Sequence, residues 1–170
     1  MTNYKEVNDI YNDGMYEFIN SNFEKSIEIL SEAAELDSGR KLTFISRGSA
    51  YLKLNRLEEA LNDFNHAIDI DPDYARAFHL RGLVEEKRGA DARALEDFTR
   101  AIKIDPEYGA AYHSRATLRT KMGLEDLAME DIAMVQHLTN KNIETFANDN
   151  NIWRSQHIRL ESIMESELGR

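Results

Sequence analysis

Cysteine is absent from this chain of 170 residues. Its absence excludes a disulfide framework, a thiolate metal site and a cysteine nucleophile. Proline occurs only at Pro72 and Pro106, and there are 8 glycines, so few residues oppose helix formation. Positive charge is in short supply: 21 Lys and Arg stand against 31 Asp and Glu, for a net charge of -10. That balance argues against nucleic acid and against anionic membrane surfaces, both of which need a basic face. Long apolar runs are missing, and nothing approaches the roughly 18 residues of a membrane span. Met1-Thr2-Asn3-Tyr4-Lys5-Glu6 has no apolar stretch of a secretory signal. The expectation is a cytoplasmic protein. Enzyme signatures are missing too, among them G-x-G-x-x-G, the P-loop, H-E-x-x-H and G-x-S-x-G. Asp9 to Gly14 makes a poor calcium loop, since Tyr11 takes a ligand place and Asn20 the closing carboxylate's place. No catalysis and no cofactor are expected.

What the chain does have is a repeat. Phe44, Arg47, Gly48, Ala60, Asp63, Phe64, Ala67, Ile70, Asp71 and Pro72 return 34 residues later as Phe78, Arg81, Gly82, Ala94, Asp97, Phe98, Ala101, Ile104, Asp105 and Pro106. A fixed period of this length marks a stacked array of small units. Windows of that length tile residues 7–40, 41–74, 75–108 and 109–142, with worn copies at both ends. Each window carries two helical stripes. In the third, Phe78, Arg81, Gly82 and Glu85 share one helix face, and Ala94, Leu95, Phe98, Ala101 and Ile102 share another. Gly89 and Asp91 stop the first helix and start the second, while Pro106 ends the second and opens the next helix. Gly48, Gly82, Ala60, Ala94 and Ala128 fall where helices cross, where larger side chains would hold the pair apart.

This pattern resembles that of tetratricopeptide repeat (TPR) proteins: Phe44, Gly48, Tyr51, Ala60, Phe64 and Pro72 follow the family order, and Phe78, Gly82, Ala94, Phe98 and Pro106 follow it again. The resemblance implies an all-α fold, a right-handed α-α superhelix (solenoid) of about four helix pairs over residues 1–142, with capping or tail helices in 143–170. In that tail Ile143–Ala147 reads as a short helix, and Trp153, His157, Leu160, Met164 and Leu168 share one stripe. Departures from the family are specific. Arg47, Arg81 and Arg115 stand where Leu is usual, and Glu85 and Arg119 where Tyr is usual. Each of these three arginines has an aspartate 16 residues on, Asp63, Asp97 or Asp131, whereas the first window holds Asp13 and Ile29 instead. Both partners are present or both absent, so each Arg is expected to pair with its Asp within a repeat or between neighbours.

In the family the first helices line a concave, partner-binding face. The period places Tyr11, Met15, Phe18 and Ile45 on its apolar half, and Lys53, Arg76, His79, Lys87, His113 and Lys121 on its basic half. The twenty positions of that face carry a net charge of +3 in an acidic chain, which focuses negative groups into it. The expected partner is a protein or peptide with apolar and acidic segments, bound by an adaptor. The alternative is a self-associating scaffold, a homodimer through Tyr11, Met15 and Phe18 or through Trp153. The family's carboxylate clamp for chaperone tails would need Lys, Asn and Arg where this chain has Tyr11, Met15, Ser46, Arg76 and Leu80; only Arg76 fits. His79 and His113 share a place in successive repeats, but two histidines without carboxylates make a weak metal site.

Overall fold

A computed structural model describes residues 4–149, and within them all regular structure is helical. Four helix pairs follow one another: α1 (Tyr4–Ile19) with α2 (Phe23–Leu36), α3 (Lys41–Lys53) with α4 (Leu57–Ile70), α5 (Ala75–Lys87) with α6 (Asp91–Ile104), and α7 (Gly109–Lys121) with α8 (Glu125–Asp149). The two middle pairs fall within the windows 41–74 and 75–108, while α1 begins before residue 7 and α8 runs past residue 142. The last helix differs from expectation. It runs unbroken past residue 142, so Ile143–Ala147 continue α8 and do not form a helix of their own. No glycine or proline lies between Leu124 and Asp149 to stop it. The stripe from Trp153 to Leu168 lies outside the described residues.

Turn chemistry repeats with the same period. Ser21, Asn55, Gly89 and Gly123 have φ of 63°, 58°, 77° and 75°, one left-handed residue in each turn between paired helices. The amide that follows reaches back across the turn: Arg56 N–H to Tyr51 O at 2.9 Å, Ala90 N–H to Glu85 O at 2.9 Å and Leu124 N–H to Arg119 O at 2.9 Å. These bonds satisfy carbonyls that the helix end would leave open. Between pairs, Asp37, Asp71 and Asp105 end the second helices, and their side chains accept the N–H of Gly39, Asp73 and Glu107 at 3.0, 3.1 and 2.9 Å. Pro72 and Pro106 lie inside these turns. They do not open the next helix, which starts at Ala75 or Gly109.

Packing follows from small residues meeting rings. A Cβ built on Gly48 would stand 2.7 Å from the Phe64 ring, and one on Gly82 would stand 2.6 Å from the Phe98 ring. Phe64, Phe98, Ala60 and Ala94 are fully buried. The core continues across repeats: Phe44, Ile45, Phe64 and Val84 form one cluster that includes Ala34 and Ala77 from the neighbouring repeats. First helices touch first helices, α1 to α3, α3 to α5 and α5 to α7. Second helices make no such contacts with one another. The stack is therefore closed along α1, α3, α5 and α7, its inner side, and splayed along α2, α4, α6 and α8, its outer side.

The arginines bridge that splay. Arg47 donates to both oxygens of Asp63, from Nε at 2.9 Å and Nη2 at 2.7 Å, and Arg81 and Arg115 repeat those distances to Asp97 and Asp131. The remaining Nη1 reaches the preceding repeat: Ser31 Oγ at 3.1 Å from Arg47, Asn65 Oδ1 at 2.8 Å from Arg81 and Thr99 Oγ1 at 3.1 Å from Arg115. Each guanidinium thus holds its own second helix and the one before it. Burial pushes the Asp63 carboxyl above its ordinary pKa, against the pull of Arg47. On that carboxylate desolvation outweighs pairing, so the pair aligns helices more than it stabilises them.

Candidate functional site

The inner side is built from α1, α3, α5 and α7, and the residues expected there divide by burial. Tyr11, Met15 and Phe18 are half-buried on α1. The Tyr11 hydroxyl lies 3.2 Å from Ser46 Oγ, and the Arg40 guanidinium sits 4.2 Å from its ring centroid. Phe18 meets Phe23 edge-on at 5.5 Å. These contacts hold an apolar patch in place while leaving part of each side chain at the surface.

Two expected surface residues are closed off. Ile45 is only 2% exposed and belongs to the core, because α5 of the next repeat covers it with Ala77 and Val84 beside it. His79 is only 8% exposed. Its Nδ1 lies 3.1 Å from the Tyr108 hydroxyl and its Nε2 lies 2.9 Å from Ser114 Oγ. Burial, and then the charge of Arg76, lower its pKa to about 4, so the ring is neutral near pH 7. It is a packed link between the third and fourth repeats, with both nitrogens engaged. His113 is exposed and lies beside Ala116 and Thr117 in a cleft of about 200 Å³ at the end of the stack. Among the described residues no group of three or more His, Cys, Asp or Glu side chains is placed to hold a metal ion.

The cations also divide. Lys121 is tied to Asp91 at 2.8 Å, and Asp91 holds its pKa above the ordinary lysine value, chiefly through that hydrogen bond. Lys53, Arg76 and Lys87 are exposed and form no ion pair among the described residues. Of the residues that the period assigns to the inner face, Lys53, Arg76 and Lys87 are thus open cations, and Tyr11, Met15 and Phe18 are a half-buried apolar set. Among the described residues no helix is long and apolar enough to cross a membrane.

One surface was not legible from the period. On the outer side a cleft of about 690 Å³ opens between α4 and α6, with Phe78 and Arg81 of α5 on its floor. The outer faces of the second helices read in sequence as charged, solvated stripes. The signal that points to the cleft is Glu85, which stands in the third repeat where Tyr51 stands in the second.

Comparison with known proteins agrees with this geometry. A family model described as "TPR repeat" matches residues 48–89, and one described as "Tetratricopeptide repeat" matches residues 75–108. No curated protein matches the sequence. Among solved structures, MamA is similar at 24% identity and a TM-score of 0.75, over 81% of this chain and 81% of its own. MamA residues 41 to the end from Desulfovibrio magneticus RS-1 is similar at 18% identity and a TM-score of 0.72, over 79% of this chain and 76% of its own. The second TPR domain of human RPAP3, in complex with the HSP70 peptide SGPTIEEVD, is similar at 26% identity and a TM-score of 0.65, over 68% of this chain and 97% of its own.

Proposed function

The chain is a tetratricopeptide-repeat protein, and we propose that it acts as an adaptor whose inner groove holds an extended segment of a partner protein. The repeat family is one of protein interaction, and a structural neighbour holds a peptide that ends Glu-Glu-Val-Asp. The observation that carries the reading here is the division of the inner face. Arg76, Lys53 and Lys87 stand open at one part of it, and Tyr11, Met15 and Phe18 form an apolar patch at the other. In a chain of net charge -10, three unpaired cations on one face raise the local concentration of carboxylates. The partner segment carries apolar anchors for α1 and acidic residues for α3 and α5. Ile45 and His79 contribute to the groove's shape from beneath its surface, and His113 and Lys121 lie at its far end.

The test is affinity capture from the native cell, with wild type beside Arg76→Glu/Lys87→Glu. Both side chains are exposed, so the variant keeps its helical content. Partners held by wild type should be lost from the variant. The same proteins retained on both would remove the basic half from the reading.

A second reading, self-association, is favoured by one observation: Tyr16 and Ile19, at the end of α1 beside Phe18, are 66% and 76% exposed. Sedimentation across a range of concentration decides it. A dimer that Met15→Asp dissolves supports the scaffold; a monomer throughout supports the adaptor.

A further inference from the structure

We propose that the outer cleft between α4 and α6 is a second, independent docking site, for an acidic segment of a partner protein bearing a bulky apolar side chain. It is lined by a departure from the repeat. In the second repeat Tyr51 stands on the outer face of α3, and the cleft beside it measures about 300 Å³. In the third repeat Glu85 takes that place and is drawn aside by Arg88 at 3.1 Å. No aromatic ring stands there, and the cleft that Glu85 lines between α4 and α6 measures about 690 Å³, a size typical of ligand sites.

Phe78 and Leu61 supply the apolar part of the lining; Phe78 is 9% exposed, and the Arg100 guanidinium lies 5.7 Å from its ring centroid. The rim is cationic. Arg93, Arg100 and Lys103 line it from one face of α6. The same places hold Glu59, His66 and Asp69 in the second repeat, and Leu127, Met134 and His137 in the fourth. In the first they hold Lys25, Glu32 and Glu35. Only the third repeat sets three cations there, along the cleft of about 690 Å³. Of the lining carboxylates, Asp97 is committed to Arg81 and Glu85 to Arg88. Arg93 lies 3.9 Å from Glu85 with its side chain 71% exposed, and Arg100 lies 3.7 Å from a largely exposed Asp73. Such loose, wet pairs exchange readily for an incoming carboxylate. Lys103 makes no ion pair among the described residues, and Glu96 is the remaining anion on the rim. The chemistry that fits is an apolar side chain on Phe78 flanked by carboxylates toward Arg93, Arg100 and Lys103.

The experiment is fluorescence anisotropy with a labelled Glu-Glu-Leu-Phe-Glu-Glu peptide and the full chain at low salt. Wild type should bind saturably. Arg93→Glu/Lys103→Glu should weaken binding roughly tenfold. Glu85→Tyr, which restores the second repeat's residue and fills the cleft, should weaken it to a similar degree. Lys53→Glu/Lys87→Glu removes whatever share of the same peptide the inner groove takes, and in that background Arg93→Glu/Lys103→Glu should still weaken binding roughly tenfold. Circular dichroism checks that each variant is folded, and the exposed Arg93/Lys103 pair keeps the test decisive if Glu85→Tyr does not fold. The proposal is overturned by no saturable binding, by equal binding of hexaglutamate or of Lys-Lys-Leu-Phe-Lys-Lys, or by loss on the inner-face variant alone. That last result would place the peptide in the inner groove and leave the adaptor reading standing.

Discussion

Arg81 holds both carboxylate oxygens of Asp97, 16 residues further on, at 2.9 and 2.7 Å, and with its third nitrogen it holds Asn65 of the preceding repeat. The Asp97 side chain is 8% exposed and that of Arg81 26%, so neither charge is easily left alone. Arg81→Leu strands a buried carboxylate and should cost about 3 kcal/mol. Arg81→Leu/Asp97→Leu should cost far less than the two single changes combined, because no charge is left unpaired. Urea unfolding of the four proteins measures this, and additive losses would show that the pair is not coupled.

Asp131 accepts from two arginines. Arg115 binds it through two nitrogens, and Arg119 adds a third bond at 2.8 Å. Arg119 Nε is buried with no hydrogen-bond partner among the described residues, a cost that offsets part of what its other contacts gain. Arg119→Leu should therefore change stability by less than about 1 kcal/mol, whereas Arg115→Leu should cost about 3 kcal/mol. Thermal melts of the two variants make the comparison; equal losses would mean that Arg119 shares the alignment role.

Gly82 and Gly89 predict opposite kinds of failure. A Cβ at Gly82 meets the Phe98 ring at 2.6 Å, while one at Gly89, at φ 77°, meets nothing within 4 Å. Gly82→Ala should destabilise by about 1–3 kcal/mol through overpacking, even though alanine favours the helix. Phe98→Leu in the same chain should recover part of that loss. Gly89→Ala should cost about 1 kcal/mol through backbone strain alone, and Phe98→Leu should not relieve it. Chemical denaturation of the single and double variants separates the two causes.

His79 sets a pH dependence. Its folded pKa is about 4, below the ordinary 6.5. As pH falls through about 6.5 the unfolded chain takes up the proton and the folded chain does not, so stability is complete above that pH and is lost toward pH 4. The loss from this residue is about 3 kcal/mol at most. His79→Gln, which keeps a donor near Ser114 Oγ, should lower Tm at pH 7 yet flatten its fall between pH 6.5 and 4.5. A slope as steep as that of wild type would mean that other groups carry the effect.

The helix pairs and the Arg–Asp spacing are legible in the sequence because both are local to one period. A stripe of Phe, Gly and Ala specifies a helix crossing, and charges that come and go together specify a pair. The reach of Arg47, Arg81 and Arg115 into the preceding repeat is not legible, since the accepting place holds Ser31, Asn65 and Thr99, three residue types joined only by having a side-chain oxygen. Ile45 and His79 show the same limit from the other side. The period assigns them to the inner face, but their burial is decided by the next repeat, by Ala77 and Val84 over Ile45 and by Tyr108 and Ser114 around His79. Glu85 is visible in the sequence as a departure, and only the neighbouring helices show that it lines a cleft.

The two sides of the stack are joined in different ways. Along α1, α3, α5 and α7 neighbours are joined by packed side chains. Bending there must disturb a close-packed interior. Across the gap between successive second helices run single hydrogen bonds from Arg47 to Ser31, Arg81 to Asn65 and Arg115 to Thr99, beside the packing of each second helix on the next first helix. A change of curvature there must release these polar bonds and also disturb the packing of α2 on α3, α4 on α5 and α6 on α7. The first repeat, which has Asp13 in place of the arginine, contributes no such tether of its own. Three arginines spaced one repeat apart thus add a polar seam along the outer surface to the apolar packing between repeats.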